Sequence, residues 1–131
     1  MSQKIGLNRN TVDKFYITEE CVKICIDMFK EEITDYDEDL FIEPSAGNGA
    51  FIDSIKGLSE NFMFYDIDPE HDDIKKCDYL ELKNPEYLDG RIHVIGNPPF
   101  GRQAGLAIRF IKKTVLFADT IAFILPRSFR K

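Results

Sequence analysis

Apolar residues along the chain alternate between helical stripes and short continuous runs. Val22, Cys25, Ile26, Phe29 and Ile33 recur at three- and four-residue spacing, which predicts one buried helix face. Thr18 with Glu19 and Glu20 supplies the start of that helix, a capping hydroxyl followed by acids in the first turn. The acidic stretch TDYDED (34–39) then reads as a solvated loop. LFIE (40–43) reads as a short buried strand, PSAGNG as a turn, and AFIDSIK as the helix it feeds. FMFYD (62–66) is a second strand, followed by the loop IDPEHDD, and a short third strand is expected within DIKKC (73–77). NPEYL (84–88) reads as a turn or a single helical turn, and RIHVIG (91–96) as the fourth strand. Residues 103–118 predict a helix with Ala107, Phe110, Ile111, Val115 and Ala118 on one face, and TIAFIL (120–125) a fifth strand stopped by Pro126.

Strands alternating with helices predict an α/β fold, a doubly wound and mostly parallel sheet. Such sheets bind ligands at the carboxyl ends of their strands, beside the switch in strand order. Every unusual turn of this chain falls at such an end.

With 131 residues and 44% apolar content, the chain suits one core-bearing domain, expected over 13–131 behind a flexible segment 1–12. A mean hydropathy of -0.26 and no apolar run of membrane-spanning length point to a soluble, intracellular (cytoplasmic) protein. Cys21, Cys25 and Cys77 form no CxxC pair, so neither a disulfide framework nor, with only His71 and His93, a zinc site is expected. Cys21 and Cys25 suit two small residues sharing a helix face.

The net charge of -6 argues against nucleic-acid binding through overall charge, but the distribution is uneven. From Gly96 onward there are seven Lys/Arg (Arg102, Arg109, Lys112, Lys113, Arg127, Arg130 and Lys131) against Asp119 alone, leaving about +6 on the last 36 residues and about -12 on the rest. An ordinary basic helix face with a basic terminus explains this as well as a rim that meets an anionic partner.

The strand-end turns carry the candidate chemistry. Gly47 and Gly49 allow backbone angles and close approach that a side chain would block, although plain tight-turn glycines look the same. Asp66 ends the second strand, where an acid can accept from both hydroxyls of a ribose or simply cap a helix. Asp78 could accept from an exocyclic amine while Tyr79 stacks on its ring, or the two could be a turn acid and a core tyrosine. In Asn97-Pro98-Pro99-Phe100 the prolines stiffen the backbone and leave the carbonyls of Asn97 and Pro98 as aimed acceptors. The Asn97 amide adds an acceptor and Phe100 a flat face, together suiting a planar –NH2 on a ring.

In this order, EPSAGNGAF, YDIDP, CDY and NPPF resemble the motifs of class I S-adenosylmethionine-dependent methyltransferases, and among them the N6-adenine DNA methyltransferases. DKFYIT (13–18) resembles that family's N-terminal motif. The resemblance implies S-adenosyl-L-methionine as cofactor, held by Glu43, Pro44, Ser45, Ala46, Gly47 and Gly49, by Asp66 and Ile67, by Asp78 and Tyr79, and by Asn97. Phe15, Tyr16 and Thr18 would close over its methionine end. It further implies methyl transfer to the N6 of a flipped-out adenine, with Asn97, Pro98, Pro99 and Phe100 as the catalytic tetrapeptide. Relatives with NPPF or NPPY also methylate adenine in RNA and the glutamine amide of proteins, and a non-catalytic cofactor-binding subunit is a further alternative.

The family's sheet normally adds two strands after the fifth, and its DNA enzymes add a target-recognition region; neither is expected here. TIAFIL would then lie near or at an edge, open to a homodimer or partner chain. DNA, ahead of RNA, is the expected nucleic-acid partner, near the basic residues 102–131, and no membrane is expected.

Overall fold

A computed structural model describes residues 17–126. Segment 1–12, Phe15, Tyr16, Arg127, Arg130 and Lys131, all named above, lie outside the described residues. Helix α1 (Glu19–Glu32) starts where the capping signal puts it, with the Thr18 hydroxyl accepting from the Cys21 N–H at 3.2 Å. Strands β1 (Leu40–Glu43), β2 (Asn61–Asp66), β3 (Lys75–Lys76), β4 (Ile92–Gly96) and β5 (Thr120–Phe123) form one sheet in the order β3-β2-β1-β4-β5. All four pairings are parallel. The fold is therefore α/β with an all-parallel, five-stranded sheet, compatible with a Rossmann-like arrangement.

The two-residue period of each strand sorts the core onto two faces. Phe41, Phe64 and Ile95 point to the face covered by α1 and by the short helix α2 (Ile52–Lys56), and pack with Ile26, Phe29 and Ile55. Ile42, Tyr65 and Val94 point to the other face, under Phe110 of helix α3 (Gly105–Thr114). Every residue of β4 is buried, as a strand covered on both faces requires.

Several boundaries depart from the periodic reading. Helix α2 begins only at Ile52, because Gly47 to Phe51 continue the turn; no long helix opens directly on the glycine loop. The single helical turn near residue 84 is displaced to Tyr79–Glu81, where Asp78 caps it by accepting from the Leu80 N–H at 3.0 Å. Helix α3 ends at Thr114, which leaves Val115 58% exposed and puts Thr114 on the buried face in its place. Cys21 is exposed while Cys25 is half-buried, so the pair shares no core face.

The acidic loop also holds a surprise. Asp39 is buried, accepting at Oδ1 from the Arg91 N–H (3.0 Å) and at Oδ2 from Arg91 Nε (2.9 Å), with His93 Nε2 2.7 Å away. This cluster sits where β1 and β4 begin, at the end of the sheet opposite the strand-end turns. β5 forms a sheet edge, as expected for TIAFIL, and all four of its residues are half-buried. Among the described residues no helix is long and apolar enough to cross a membrane.

Candidate functional site

Strand order reverses between β1 and β4. The chain winds outward from β1 to β3 and then returns to lay β4 against the other side of β1. Loops leaving two such neighbours depart in opposite directions and open a crevice at their carboxyl ends. A cavity of about 570 Å³ lies there.

Four turns build its walls. Residues 43–47 come from the end of β1, Asp66 and Ile67 from the end of β2, Asp78 and Tyr79 from beyond β3, and residues 97–99 from the end of β4. All of these were expected at a site from sequence, and the parallel sheet brings them together because every strand ends on the same side. Gly49, Thr18 and Phe100 are not on the cavity wall. Thr18 is occupied as the α1 cap. Phe100 is half-buried, and its carbonyl accepts from the Ala107 N–H at 3.1 Å at the entry to α3.

The two glycines differ in use. Gly47 has φ +58 with nothing within 4 Å of where a Cβ would stand, so its backbone faces open space. Gly49 has φ +91, and a Cβ there would sit 3.0 Å from His71 and Ile52. The close approach at Gly49 is thus to the protein itself.

Asp66 fastens the first turn to the second. Its Oδ2 accepts from the Gly47 N–H and its Oδ1 from the Asp68 N–H, each at 2.8 Å. A carboxylate oxygen can accept more than one hydrogen bond, so the acid retains capacity toward the cavity. The first and fourth turns are joined as well, since the Ser45 hydroxyl donates to the Asn97 carbonyl at 3.0 Å. That carbonyl is therefore not the wholly free acceptor expected from the NPPF pattern, although its second lone pair can still accept.

The stacking role expected of Tyr79 also needs correction. Its ring is 1% exposed and packs against Phe110 at 5.1 Å and Phe117 at 6.2 Å. Its hydroxyl lies 2.6 Å from Thr114 Oγ1, which in turn donates to the Phe110 carbonyl. Burial, offset in part by the Thr114 bond, pushes this phenol up to about 12. Tyr79 is a core tyrosine at the cavity wall, buried against Phe110 and Phe117.

Sequence reasoning missed the contribution of α3. Leu106, Arg109 and Phe110 line the cavity, although Phe110 read as core and Arg109 only as part of a basic stretch. The signal was the crossover itself, because the helix that follows β4 must pass beside the switch point. Ile17, just ahead of α1, lines it too. Acids dominate the polar lining, with Glu43, Asp66, Asp68, Glu70 and Asp78 against Arg109. Such a wall favours a ligand that carries positive charge.

The segment joining β4 to α3 is strained. Gln103 and Ala104 both adopt left-handed backbone, with φ +54 and +66, and only Arg102 separates them from Gly101 at φ +75. Non-glycine residues pay for that conformation, and here the cost falls directly behind the NPPF turn.

Compared with known protein families, with curated proteins and with solved structures, the chain gives no match.

Proposed function

We propose that the cavity is an S-adenosylmethionine site and that the protein is an amino-group methyltransferase of the class I fold, acting on adenine N6, with DNA as the favoured acceptor. The single observation that carries this reading is the convergence of the PSAG turn, Asp66, Asp78 and the NPP turn on one cavity at the switch point. The cofactor's reactive contribution would be an electrophilic methyl group on a sulfonium.

The residues present fit that group. The acid-rich wall suits its net positive charge, and Glu43 offers a buried oxygen, Oε1, with no partner among the described residues. Gly47 leaves room on the wall for an adenosyl ligand, and Asp66 would accept from its ribose hydroxyls while holding the Gly47 N–H. Asp78, whose Oδ1 caps the short turn, would accept from the cofactor's adenine amine.

On the acceptor side, the Asn97 amide and the Pro98 carbonyl would take hydrogen bonds from the planar amine. Those bonds favour a nitrogen lone pair directed away from the ring plane, so catalysis is positioning and electrostatics. Ser45 holds the Asn97 carbonyl and thereby sets the turn's orientation. Phe100, which follows the turn but lies off the cavity wall, would cover the acceptor's ring only where that ring extends beyond the cavity. The exposed Arg109 with Arg102 and Lys112 would meet phosphates.

The test is incubation with methyl-labelled S-adenosylmethionine and DNA, RNA or protein, followed by mass spectrometry of nucleosides and peptides. N6-methyladenine in DNA is the expected product. Label in RNA adenine or glutamine amide would move the acceptor, and label only in cytosine C5 would overturn amino-group methylation.

A further inference from the structure

Among the described residues, no cation pairs with the acid at the end of β1, Glu43, which is 2% exposed. Its Oε1 is without a hydrogen-bond partner there, yet the residue lines the cavity. Strand β4 gives it room but no charge: a Cβ on Gly96 would stand 3.0 Å from Glu43 Cγ.

The titratable groups that face it make its ionisation harder. Asp66 approaches from β2 and would repel a second carboxylate. Cys25 faces it from α1 as a neutral thiol, since burial first, and any charge on Glu43 second, push it up to about 11. Isolating a carboxylate from water in such surroundings is strongly unfavourable and favours the protonated acid. Burial first, and Asp66 second, hold the Glu43 carboxyl well above the usual range.

We propose that Glu43 is a neutral acid in the ligand-free cavity, and that it ionises when a ligand's ammonium group comes against Oε1, releasing one proton to solvent. The inference rests on the reading of the cavity as an S-adenosylmethionine site, because that ligand carries an amino-acid ammonium group. The proton leaves the carboxyl oxygen, and the resulting carboxylate pairs with the cation, so charge inside the cavity stays balanced. Uptake is then coupled to pH. Affinity for an ammonium-bearing ligand rises about tenfold per pH unit until the ligand-free Glu43 itself ionises, and then levels.

Two measurements separate this from the cofactor reading. The first is infrared spectroscopy of the ligand-free protein near neutral pH. A protonated-carboxyl band that vanishes in Glu43→Gln is expected, and its absence from the unaltered protein would overturn the proposal whatever the cavity binds. The second is calorimetry in buffers of different ionisation enthalpy. S-adenosylhomocysteine, which keeps the ammonium, should release close to one proton. Methylthioadenosine, which lacks the amino-acid moiety, should release none.

Glu43→Gln should abolish the release and flatten the pH dependence of affinity. Equal proton release by both ligands, or by the variant, would sink the coupling. If the variant does not fold, the comparison of the two ligands on the unaltered protein decides alone. Binding of neither ligand would overturn the cofactor reading and the coupling with it, while the band would still report the state of Glu43.

Discussion

The Ser45 hydroxyl donates to the Asn97 carbonyl across the β1–β4 switch, 3.0 Å from oxygen to oxygen and 52 residues apart in sequence. One hydrogen bond thus links the turn proposed to hold the cofactor to the turn proposed to hold the acceptor. Ser45→Ala should cost about 1 kcal/mol of folding stability, the usual net worth of such a bond. Its larger effect is expected on methyl-transfer rate, with a smaller loss of cofactor affinity. Denaturant unfolding and single-turnover assays would check this, and an unaltered rate would show that the tie does not orient Asn97.

Asp66 carries two loads, the Gly47 and Asp68 N–H groups on one side and the proposed ribose on the other. Asp66→Ala removes both, so S-adenosylmethionine affinity should fall by about 10- to 100-fold, the equivalent of one hydrogen bond to a charged group. Asp66→Asn can still accept at one oxygen and should fall between the two. Titration calorimetry of the three proteins would expose any other ranking.

Strain behind the NPPF turn can be relieved by a single change. Ala104 sits at φ +66, a conformation that costs a residue with a Cβ about 1–2 kcal/mol and glycine almost nothing. Glycine's greater freedom in the unfolded chain offsets about 0.5–1 kcal/mol of that gain. Ala104→Gly should therefore raise stability by up to about 1 kcal/mol. A loss of stability on chemical denaturation would mean that the left-handed backbone is not strained.

At the opposite end of the sheet, Asp39 and His93 predict a one-sided pH profile. Burial disfavours the imidazolium and holds His93 below its ordinary value, against the pull of Asp39. A histidine depressed in the folded state binds its proton more readily when unfolded. Its contribution is therefore complete above the unfolded value near 6.5 and is lost as pH falls through the lower folded value. Burial works against the Asp39 carboxylate, but the Arg91 N–H, the His93 bond and the Arg91 charge outweigh it and hold the pKa below 3.8. That stability is present above the unfolded value and disappears as pH falls through the folded one. Unfolding free energy should decline in two stages from neutral toward acid, and His93→Asn should flatten the upper stage. Asp39→Asn should cost about 2 kcal/mol at neutral pH, since it weakens bonds made to a charged acceptor.

Most of the site was legible because turn chemistry is local. Glycine, proline and a terminal acid announce a strand end whatever lies around them, and the parallel pattern implied that such ends would gather. What stayed hidden depended on partners distant in sequence. Nothing in CDY distinguishes a stacking ring from one already held by Phe110 and Thr114. Nothing in TDYDED says that its last acid is buried against Arg91. The α3 boundary moved for a related reason: Thr114 is polar by type but satisfied by Phe110 and Tyr79, so it could take an inward position.

The sequence by itself determined the α/β alternation, the positions of the strands and the identity of the turns, because apolar period and turn residues act over a few neighbours. Tertiary structure alone decided how those turns are used. The strand order sets β1 beside β4, and only that contact gives Ser45 a carbonyl to hold, Glu43 a buried oxygen with no partner among the described residues, and Asn97 a fixed place beside both. Hydrogen bonding and desolvation depend on what lies within a few ångströms, and in this fold those neighbours are some fifty residues away along the chain.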